Sequence, residues 1–415
     1  MTTPGAVLAC RNCGSALEHT FCDLGLSPLA NSYRPLSERN AMERFYPLHV
    51  LVCDRCFLVQ LPEVESPEEI FSDYAYFSSY STSWLAHAEA YVADMTDRLR
   101  LGASSQVVEV ASNDGYLLQY FVKRGIPVLG VEPAANVAKV AVEKGIPSRV
   151  AFFGVETAQT LRAEGIHADL LLGNNVLAHV PRLHDFVEGL RILLKPGGVI
   201  TMEFPHLLQL MRHVQFDTIY HEHFSYFSLL AVEKVFAAHG LRIFDVAQLP
   251  THGGSLRIFA AHDDDQTHPV QPGIAELHAE ETAAGLDALP AYHEFAERVK
   301  RTKRQLLRFL VEAREQGKTV VGYGAPAKGV TLLNYCGVGT DLLDYTVDLS
   351  PHKQDKMLPG VQVPISHPDR IADTRPDYVL ILPWNLKDEI VKQMAHVRSW
   401  GGAFVVPIPE LQVLP

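Results

Sequence analysis

The middle of the chain alternates between two spacings of apolar residues, and this alternation predicts its fold. Short apolar runs with the length of buried β-strands occur at residues 107–110, 128–131, 170–172 and 199–202. Apolar positions at helical spacing lie between them, at residues 117–122, 137–142 and 186–194. Strands that alternate with helices indicate a doubly wound α/β domain, a parallel sheet with helices on both faces. Residues 256–260 predict a late additional strand.

The flanking segments follow other patterns. Residues 80–100 and 268–316 have apolar residues at the spacing of amphipathic helices. From residue 317, strand and helix patterns alternate again, which predicts a second doubly wound domain of Rossmann-like type. Residues 1–75 hold cysteine pairs and many prolines but little periodicity, as in a small domain that a metal stabilises. We therefore predict a zinc-binding domain, a central doubly wound domain, a helical connector and a Rossmann-like domain, at residues 1–75, 76–265, 266–316 and 317–415.

Composition and charge narrow the class of protein. Hydrophobic residues make up 47% of the chain and charged residues 20%, the balance of a folded protein. The formal net charge of −12 argues against nucleic acid or an anionic membrane as a partner. The sequence shows no apolar stretch of about 18 residues and no secretory signal, so we expect a cytoplasmic protein.

Four of the six cysteines form two C-x-x-C pairs, Cys10 with Cys13 and Cys53 with Cys56. Each pair can turn two sulfurs toward one metal, and two pairs complete the tetrahedral shell that zinc prefers. Four protein ligands leave no position for water or substrate. The predicted zinc site is therefore structural, and unligated buried cysteines are the alternative.

The first strand of the central domain runs into a tight turn, V-V-E-V-A-S-N-D-G at residues 107–115. It is similar to the E-x-G-x-G-x-G turn of class I methyltransferases, with Glu109 and Gly115 matching and Ala111 and Asn113 in place of two glycines. Small or turn-forming residues suit a chain that passes close beneath a cofactor. The similarity implies S-adenosylmethionine as the cofactor.

Three further positions at the carboxyl ends of the predicted strands complete this prediction. Glu132 ends the second strand, where a carboxylate can accept hydrogen bonds from both ribose hydroxyls of a nucleoside. Phe153 follows the third strand and could pack on the adenine, and Asn175 ends the fourth strand near the expected methyl group. Ligands of open α/β sheets bind at this edge, so these residues should converge.

Residues 216–227, F-D-T-I-Y-H-E-H-F-S-Y-F, form the densest cluster of chemically active side chains. Tyr220, His221, Glu222 and His223 place a phenol, two bases and an acid in succession. The spacing lacks the second histidine of a zinc-protease H-E-x-x-H motif. Polar residues flanked by aromatic residues favour the wall of a functional site over a packed core.

Several motifs in order resemble the nucleotide-sugar C-methyltransferases of deoxysugar biosynthesis, over nearly the full length. They are the two cysteine pairs, the N-D-G turn, N-x-x-x-H at residues 175–179, Y-x-E-H-F at 220–224, H-G-G at 252–254 and V-G-Y-G-A-x-A-K at 321–328. The resemblance implies a nucleotide-linked 4-keto-6-deoxyhexose as substrate. It implies methylation at C3, with C5 as the alternative.

The resemblance also implies roles for single residues. His223 would be the base that removes a proton next to the ketone, and Tyr220 and His179 would lie near the ketone oxygen. Glu222 would orient His223 or contact the sugar. Tyr323 and Lys328, in the C-terminal domain, would contact the nucleotide-sugar.

Other functions remain open at this point. Residues 322–327, G-Y-G-A-P-A, follow a predicted strand, and Asp348 follows another, as in an NAD-dependent oxidoreductase. A zinc-binding protein without enzymatic activity and a nucleic-acid methylase are further alternatives. The active side chains at residues 220–223 argue against the former, and the negative charge argues against the latter.

Overall fold

The structure is a computed structural model that describes residues 8–66, 78–80 and 82–415. The predicted boundary between the first two parts, at residues 75–76, lies outside the described residues.

The N-terminal part contains an antiparallel sheet where the sequence predicts little regular structure. Its strands are β1 (His19–Ser27), β2 (Arg34–Pro35), β3 (Tyr46–Val52) and β4 (Val59–Gln60). Strand β3 pairs with both β1 and β4, whereas β2 lies outside this sheet. Register shifts between Thr20 and Cys22 and between Asp23 and Leu26 interrupt β1. These shifts break the alternation of inward and outward side chains from which a strand is predicted, so the sequence does not predict β1.

The central part is a mixed sheet covered by helices. Its strands are β5 (Val107–Val110), β6 (Val128–Glu132), β7 (Ser148–Val150), β8 (Ala168–Asn174), β9 (Leu194–Pro205), β10 (Ser225–Tyr226), β11 (Leu241–Leu249) and β12 (Ser255–His262). Its helices are α1 (Thr82–Leu99), α2 (Leu118–Lys123), α3 (Ala135–Glu143), α4 (Val155–Ala163), α5 (Leu183–Leu193), α6 (Leu207–Arg212) and α7 (Leu229–Ala237). The sheet order β11-β12-β9-β8-β5-β6-β7 has the predicted strands in its middle.

The central sheet is parallel in its middle, as predicted, and antiparallel at one edge. Strands β5 to β9 are parallel, but β12 pairs antiparallel with β9, and β11 pairs antiparallel with β12. The sequence predicts β12 but not β11. The shift in register between Ile243 and Asp245 interrupts the alternation of β11, as in β1.

Strand β10 does not join the central sheet, although it lies within the central part of the sequence. It pairs with β4, so that Ser225 lies opposite Gln60 and Tyr226 opposite Val59. The N-terminal sheet is therefore attached to the chain directly after residues 220–224.

Two helices connect the central part to the last part, as the sequence predicts: α8 (Pro272–Ala283) and α9 (Leu289–Glu315). The predicted apolar residues of α9 are buried, and Phe295 stacks on Phe21 of β1 with ring centroids 4.6 Å apart. Burial of a whole face in this way stabilises a helix far more than its intrinsic propensity does.

The C-terminal part is a Rossmann-like α/β unit. Its strands are β13 (Val320–Tyr323), β14 (Thr346–Val347), β15 (Lys356–Met357), β16 (Ile365–Ser366), β17 (Tyr378–Ile381), β18 (Ala403–Val406) and β19 (Gln412–Leu414). Its helices are α10 (Ala327–Cys336), α11 (Arg370–Thr374) and α12 (Lys387–Gln393). The sheet order is β16-β14-β13-β17-β18-β19, parallel except for β19, and β15 pairs with β2 of the N-terminal part. The strand predicted at residues 343–347 is shorter than expected. Over the three described stretches, no helix has both the length and the apolar character that crossing a membrane requires.

Candidate active site

A cavity of about 670 Å³ lies at the carboxyl ends of β5, β6, β8 and β9. Residues of three parts of the chain form its wall: Asn31 and Glu63 come from the N-terminal part, and Lys328 and Lys353 come from the C-terminal part. A cleft between parts of a chain at this edge of an α/β sheet is the usual place for a ligand.

The turn after β5 is held in an unusual conformation by the carboxylate of Glu132. Ala111 and Asn113 have φ angles of +56° and +50°, in the left-handed region. The two oxygens of Glu132 accept hydrogen bonds from the backbone amides of Asn113 and Ala134, each at 2.9 Å. Burial raises the pKa of Glu132, and the two amide donors oppose this effect.

The same edge fits the nucleoside half of S-adenosylmethionine. Glu132 lines the cavity, and each of its oxygens has a further lone pair available for a ribose hydroxyl. Phe153 lines the wall beside it. Among the residues described, the buried amide of Asn174 has no hydrogen-bond partner for either its nitrogen or its oxygen. Such a group requires a ligand or water for satisfaction, because an unpaired buried amide is costly.

His223 also lines the cavity, and its ring is in the neutral form that can act as a base. Its Nδ1 lies 2.8 Å from the carbonyl oxygen of Thr218, and a carbonyl can only accept, so Nδ1 carries the proton. Nε2 is then the acceptor of the neutral ring. Burial lowers the pKa of His223 well below its ordinary value, and the nearby His179 adds to this effect.

Tyr220 and His179 surround the ring of His223. The ring centroid of Tyr220 lies 4.0 Å from that of His223, and the ring of His179 meets it edge-on at 4.7 Å. Burial lowers the pKa of His179 to about 4, so this ring is neutral as well. The three rings line one region of the cavity.

Glu222 is held by the N-terminal part of the chain. Its Oε1 accepts a hydrogen bond of 2.6 Å from the side-chain amide of Asn31. Burial raises the pKa of Glu222 to about 7, and the amide of Asn31 opposes that rise. Glu222 therefore titrates close to neutral pH beside His223.

The cysteine pairs come together as predicted. The four sulfurs lie within 4.8 Å of one another, with Cys10 and Cys56 at 3.5 Å and Cys13 and Cys53 at 3.4 Å. Tetrahedral Zn–S bonds of about 2.3 Å require sulfurs roughly 3.8 Å apart, so this arrangement fits a zinc ion. The side-chain amide of Gln60 donates to the sulfur of Cys10 at 3.1 Å, as expected beside a thiolate.

Arg11, between the first two cysteines, reaches from this site to residues 216–227. We call these residues the catalytic segment, because they contain the candidate base His223. Its guanidinium donates to the carbonyl oxygen of Phe224, to the hydroxyl of Ser225 at 3.2 Å and to the carbonyl oxygen of Leu61 at 2.8 Å. Phe224 follows His223 directly. The zinc site is thus connected to the candidate base through a single side chain.

Comparisons with known proteins agree along the whole chain. Three family models match in succession: "Putative zinc binding domain" at residues 10–71, "Methyltransferase domain" at 84–246 and "C-methyltransferase C-terminal domain" at 250–409. C-methyltransferase NovU of Streptomyces niveus is 39% identical over 408 residues, which cover 98% of this chain and 96% of that protein. The chain belongs to the C-methyltransferase family. It is an S-adenosylmethionine-dependent enzyme with a structural zinc site.

Other relatives share only part of this C-methyltransferase. Ubiquinone biosynthesis O-methyltransferase of Acinetobacter baylyi is 25% identical over 183 residues, 41% of this chain and 69% of that protein. Among solved structures, magnesium protoporphyrin IX methyltransferase from Synechocystis PCC 6803 aligns with a TM-score of 0.34 and 14% identity. That alignment covers 49% of this chain and 86% of that chain. A likeness this weak adds nothing to the assignment.

Three of the residues proposed from sequence do not line the cavity. Glu109 is completely buried beneath the turn, where burial raises its pKa well above the ordinary value. Gly115 provides a turn with φ of +75° and packs on Ile146, whose Cδ1 would lie 2.3 Å from an added Cβ. Tyr323 directs its hydroxyl to Gln393 at 3.1 Å. Glu109 and Gly115 therefore support the turn, and Tyr323 supports the C-terminal part.

The remaining proposed residues line the cavity, together with several that sequence reasoning missed. The proposed ones are Ala111, Asn113, Glu132, Phe153, Asn175, His179, Tyr220, Glu222, His223 and Lys328. Asn31, Glu63, Trp84, His252 and Lys353 join them. His252 could have been found from the sequence, because it begins the H-G-G motif. The structure adds that its backbone is strained, with a φ of +55°. Asn31 and Lys353 have none, because they reach the cavity only through contacts between distant parts of the chain.

Replacement of Glu132 by alanine should weaken binding of S-adenosylhomocysteine by about 10- to 100-fold. The estimate follows from the loss of hydrogen bonds to a charged group, worth about 1.5–3 kcal/mol. Calorimetry with S-adenosylhomocysteine and with adenosine should show similar losses, because both contain the ribose. Glu143→Ala removes an exposed carboxylate from the next helix and is the matched control. An unchanged Kd in the Glu132 variant would exclude the ribose contact.

Proposed function

We propose that this C-methyltransferase transfers the methyl group of S-adenosylmethionine to C3 of a nucleotide-linked 4-keto-6-deoxyhexose. The observation that carries the proposal is the state of His223, a neutral base whose protonated Nδ1 is held by Thr218 in the wall of a cavity that also contains Glu132. Methylation of carbon requires a carbanion equivalent, and a carbon next to a ketone can supply one as its enolate.

The proposed reaction begins with proton removal by Nε2 of His223. The electron pair of the C–H bond forms the new carbon–carbon double bond, and the carbonyl pair moves to oxygen. Tyr220 and His179 lie beside the ring of His223, where donors can stabilise that oxygen. S-adenosylmethionine supplies an electrophilic methyl group when bound. The cavity wall holds the sugar carbon in line with it and excludes water.

Glu222 is proposed to fix the position of this segment. Its carboxyl is bonded to Asn31, and the backbone carbonyl of Glu222 raises the pKa of His179 by accepting a hydrogen bond from its ring. Glu222 thus joins the N-terminal part to both histidines. Of the two roles that the resemblance implies for Glu222, this arrangement supports the orienting one.

The contacts of the C-terminal part support a methyltransferase over an NAD-dependent oxidoreductase. In a dinucleotide-binding unit, an acidic residue at the position of Asp348 would bind the ribose. Here its two oxygens accept hydrogen bonds from the backbone amides of Ala325 and Ser350, at 2.7 and 2.8 Å. The carbonyl oxygen of Ala325 in turn accepts from Tyr33 and from Lys353, at 2.6 and 2.8 Å. Tyr33 of the N-terminal part and Lys353 thus bond to the turn itself, and this packing on the turn, rather than the bonds to Asp348, supports the methyltransferase over the oxidoreductase.

The test is mass spectrometry of the purified protein with S-adenosylmethionine and a panel of dTDP-4-keto-6-deoxyhexoses. We expect one panel member to become heavier by one methylene, and NMR of that product to place the methyl group at C3. A methyl group at C5 would move the reaction to the other carbon next to the ketone. If all sugars remained unmodified while the cofactor bound, the sugar substrate would be wrong and the methyltransferase assignment would stand.

A further inference from the structure

Lys328 lies on the face of α10 that packs against the catalytic segment. Thr331, one turn later on the same face, donates its hydroxyl to the carbonyl oxygen of Ile219 at 2.9 Å. Ile219 precedes Tyr220 directly. Lys328 therefore enters the cavity beside the residues that surround the candidate base, and it lines the wall together with Tyr220 and His223.

A set of polar contacts fixes the ammonium of Lys328 in this position. Its Nζ donates to the side-chain oxygen of Asn385 at 2.8 Å and lies 4.5 Å from the ring centroid of Trp384. The indole nitrogen of Trp384 donates to Oδ2 of the buried Asp217 at 2.7 Å. Asp217 belongs to the catalytic segment, so Trp384 links this segment to Lys328.

Lys328 lines the cavity, and no contact neutralises its charge. Within the residues that the structure describes, no carboxylate forms an ion pair with this ammonium. Burial lowers the pKa of Lys328, and Asp217 opposes this effect from a greater distance. Burial is the main cause of the lowered pKa values of His223 and His252, and the positive charge of Lys328 adds to it in both cases.

We propose that Lys328 is a catalytic residue whose ammonium stabilises the enolate oxygen of the substrate. This inference rests on the proposed function. When Nε2 of His223 takes the carbon-bound proton, negative charge develops on the ketone oxygen, and Lys328 offers a fixed positive charge and N–H donors there. Lys328 keeps its own protons throughout. As the carbon attacks the methyl group, the electron pair of the broken S–CH₃ bond remains on sulfur and the ketone re-forms.

The role differs from that of a contact that only binds the nucleotide-sugar, which the sequence resemblance implies for Lys328. Such a binding contact would contribute equally to substrate and transition state, and its loss would weaken binding alone. A charge at the enolate oxygen acts mainly on the transition state, and its loss would slow proton removal at saturating substrate. The two roles therefore predict different kinetic effects.

The test measures proton removal without methyl transfer. The full-length protein is incubated in D₂O with the accepted dTDP-4-keto-6-deoxyhexose and S-adenosylhomocysteine, and deuterium uptake by the sugar is followed by mass spectrometry. At saturating sugar, Lys328→Met and Lys328→Gln should slow the exchange by about 100-fold or more, the effect typical of removing an oxyanion donor. Lys328→Arg should retain more of the rate than either, because it keeps the charge. Lys392→Met, an exposed lysine in α12, is the matched control and should exchange like the unmodified protein.

Each result decides between the alternatives. The proposal would be overturned if both neutral variants exchanged deuterium at saturating sugar at a rate within about tenfold of the unmodified protein. This holds even if the Kd for the sugar rose. Binding of S-adenosylhomocysteine identifies variants that have folded, and the glutamine variant replaces the methionine variant if only the latter fails to fold. If the unmodified protein bound the sugar but showed no exchange, the proposed function itself would fail, whatever the Lys328 variants did.

Discussion

Replacement of His223 by asparagine is expected to lower the rate of methyl transfer by about 1,000-fold, within the range typical of a lost general base. Asparagine can still donate to the carbonyl oxygen of Thr218, so the segment should keep its conformation. Deuterium exchange into the sugar should fall by a similar factor, because both processes begin with the same proton transfer. Binding of S-adenosylhomocysteine should persist, since the substitution leaves the proposed cofactor contacts Glu132 and Phe153 unchanged.

His221→Asn is the matched control for this variant. His221 lies two residues away, but its Nε2 faces the carbonyl oxygen of Pro47 at 3.2 Å and its ring packs edge-on against Tyr46. It does not line the cavity, so its replacement should leave exchange and methyl transfer near the level of the unmodified protein. Equal losses in both variants would mean that the segment had lost its structure, and full turnover by His223→Asn would remove the base assignment.

The pH dependence provides a second check on His223. Its lowered pKa keeps the ring neutral at every pH above its ordinary value of about 6.5, so proton removal should not weaken between pH 6.5 and 8 for want of a neutral base. If the rate of proton removal instead declined as the pH fell through 7, the responsible group would be Glu222, whose pKa lies at about 7. Glu222→Gln would then abolish that decline.

Local sequence was sufficient to predict that Glu132 lies at the edge of the sheet that lines the cavity and that the four cysteines come together. Glu132 ends a strand whose apolar run is unmistakable, and the position of a carboxylate relative to such a strand is fixed by the sheet itself. The four cysteines are similarly constrained by the short turn within each pair. The sequence places Gly115 in the turn but not its role. The turn requires the positive φ of Gly115, and a Cβ there would meet Ile146 rather than the cavity.

Long-range contacts explain what the sequence did not predict. Asn31 lies in an N-terminal loop without a motif, and long-range contacts such as the pairing of β4 with β10 bring that part of the chain to Glu222. Tyr323 ends β13, and because side chains alternate along a strand, its position in the motif did not reveal that it faces Gln393. Lys328 was identified as a substrate contact from sequence, but its network with Asp217 and Trp384 required the structure.

The connection from the zinc site to His223 has a mechanical consequence. Strand β4 pairs with β10, and Arg11 holds the carbonyl oxygen of Phe224 and the hydroxyl of Ser225, so the N-terminal part fixes the chain directly after the base. Displacement of a catalytic group by about 1 Å can cost about 100-fold in rate. We therefore expect the zinc site, which lies outside the cavity, to support catalysis by keeping His223 in position.

Loss of zinc is accordingly expected to abolish methyl transfer while cofactor binding persists. Cys53→Ser should remove the ion, whose binding contributes about 10–16 kcal/mol to the folding of small zinc domains. Arg11→Met should keep zinc, measured by metal analysis, yet lower kcat by about 100-fold, because it removes the guanidinium bonds to Phe224, Ser225 and Leu61 and leaves the cysteines in place. Arg55→Met, in the second cysteine pair, is the matched control, since that side chain is exposed and should be dispensable. If Arg11→Met kept full kcat while Cys53→Ser lost it, zinc would act by folding the N-terminal part alone, and the proposed path from the metal to the base would be wrong.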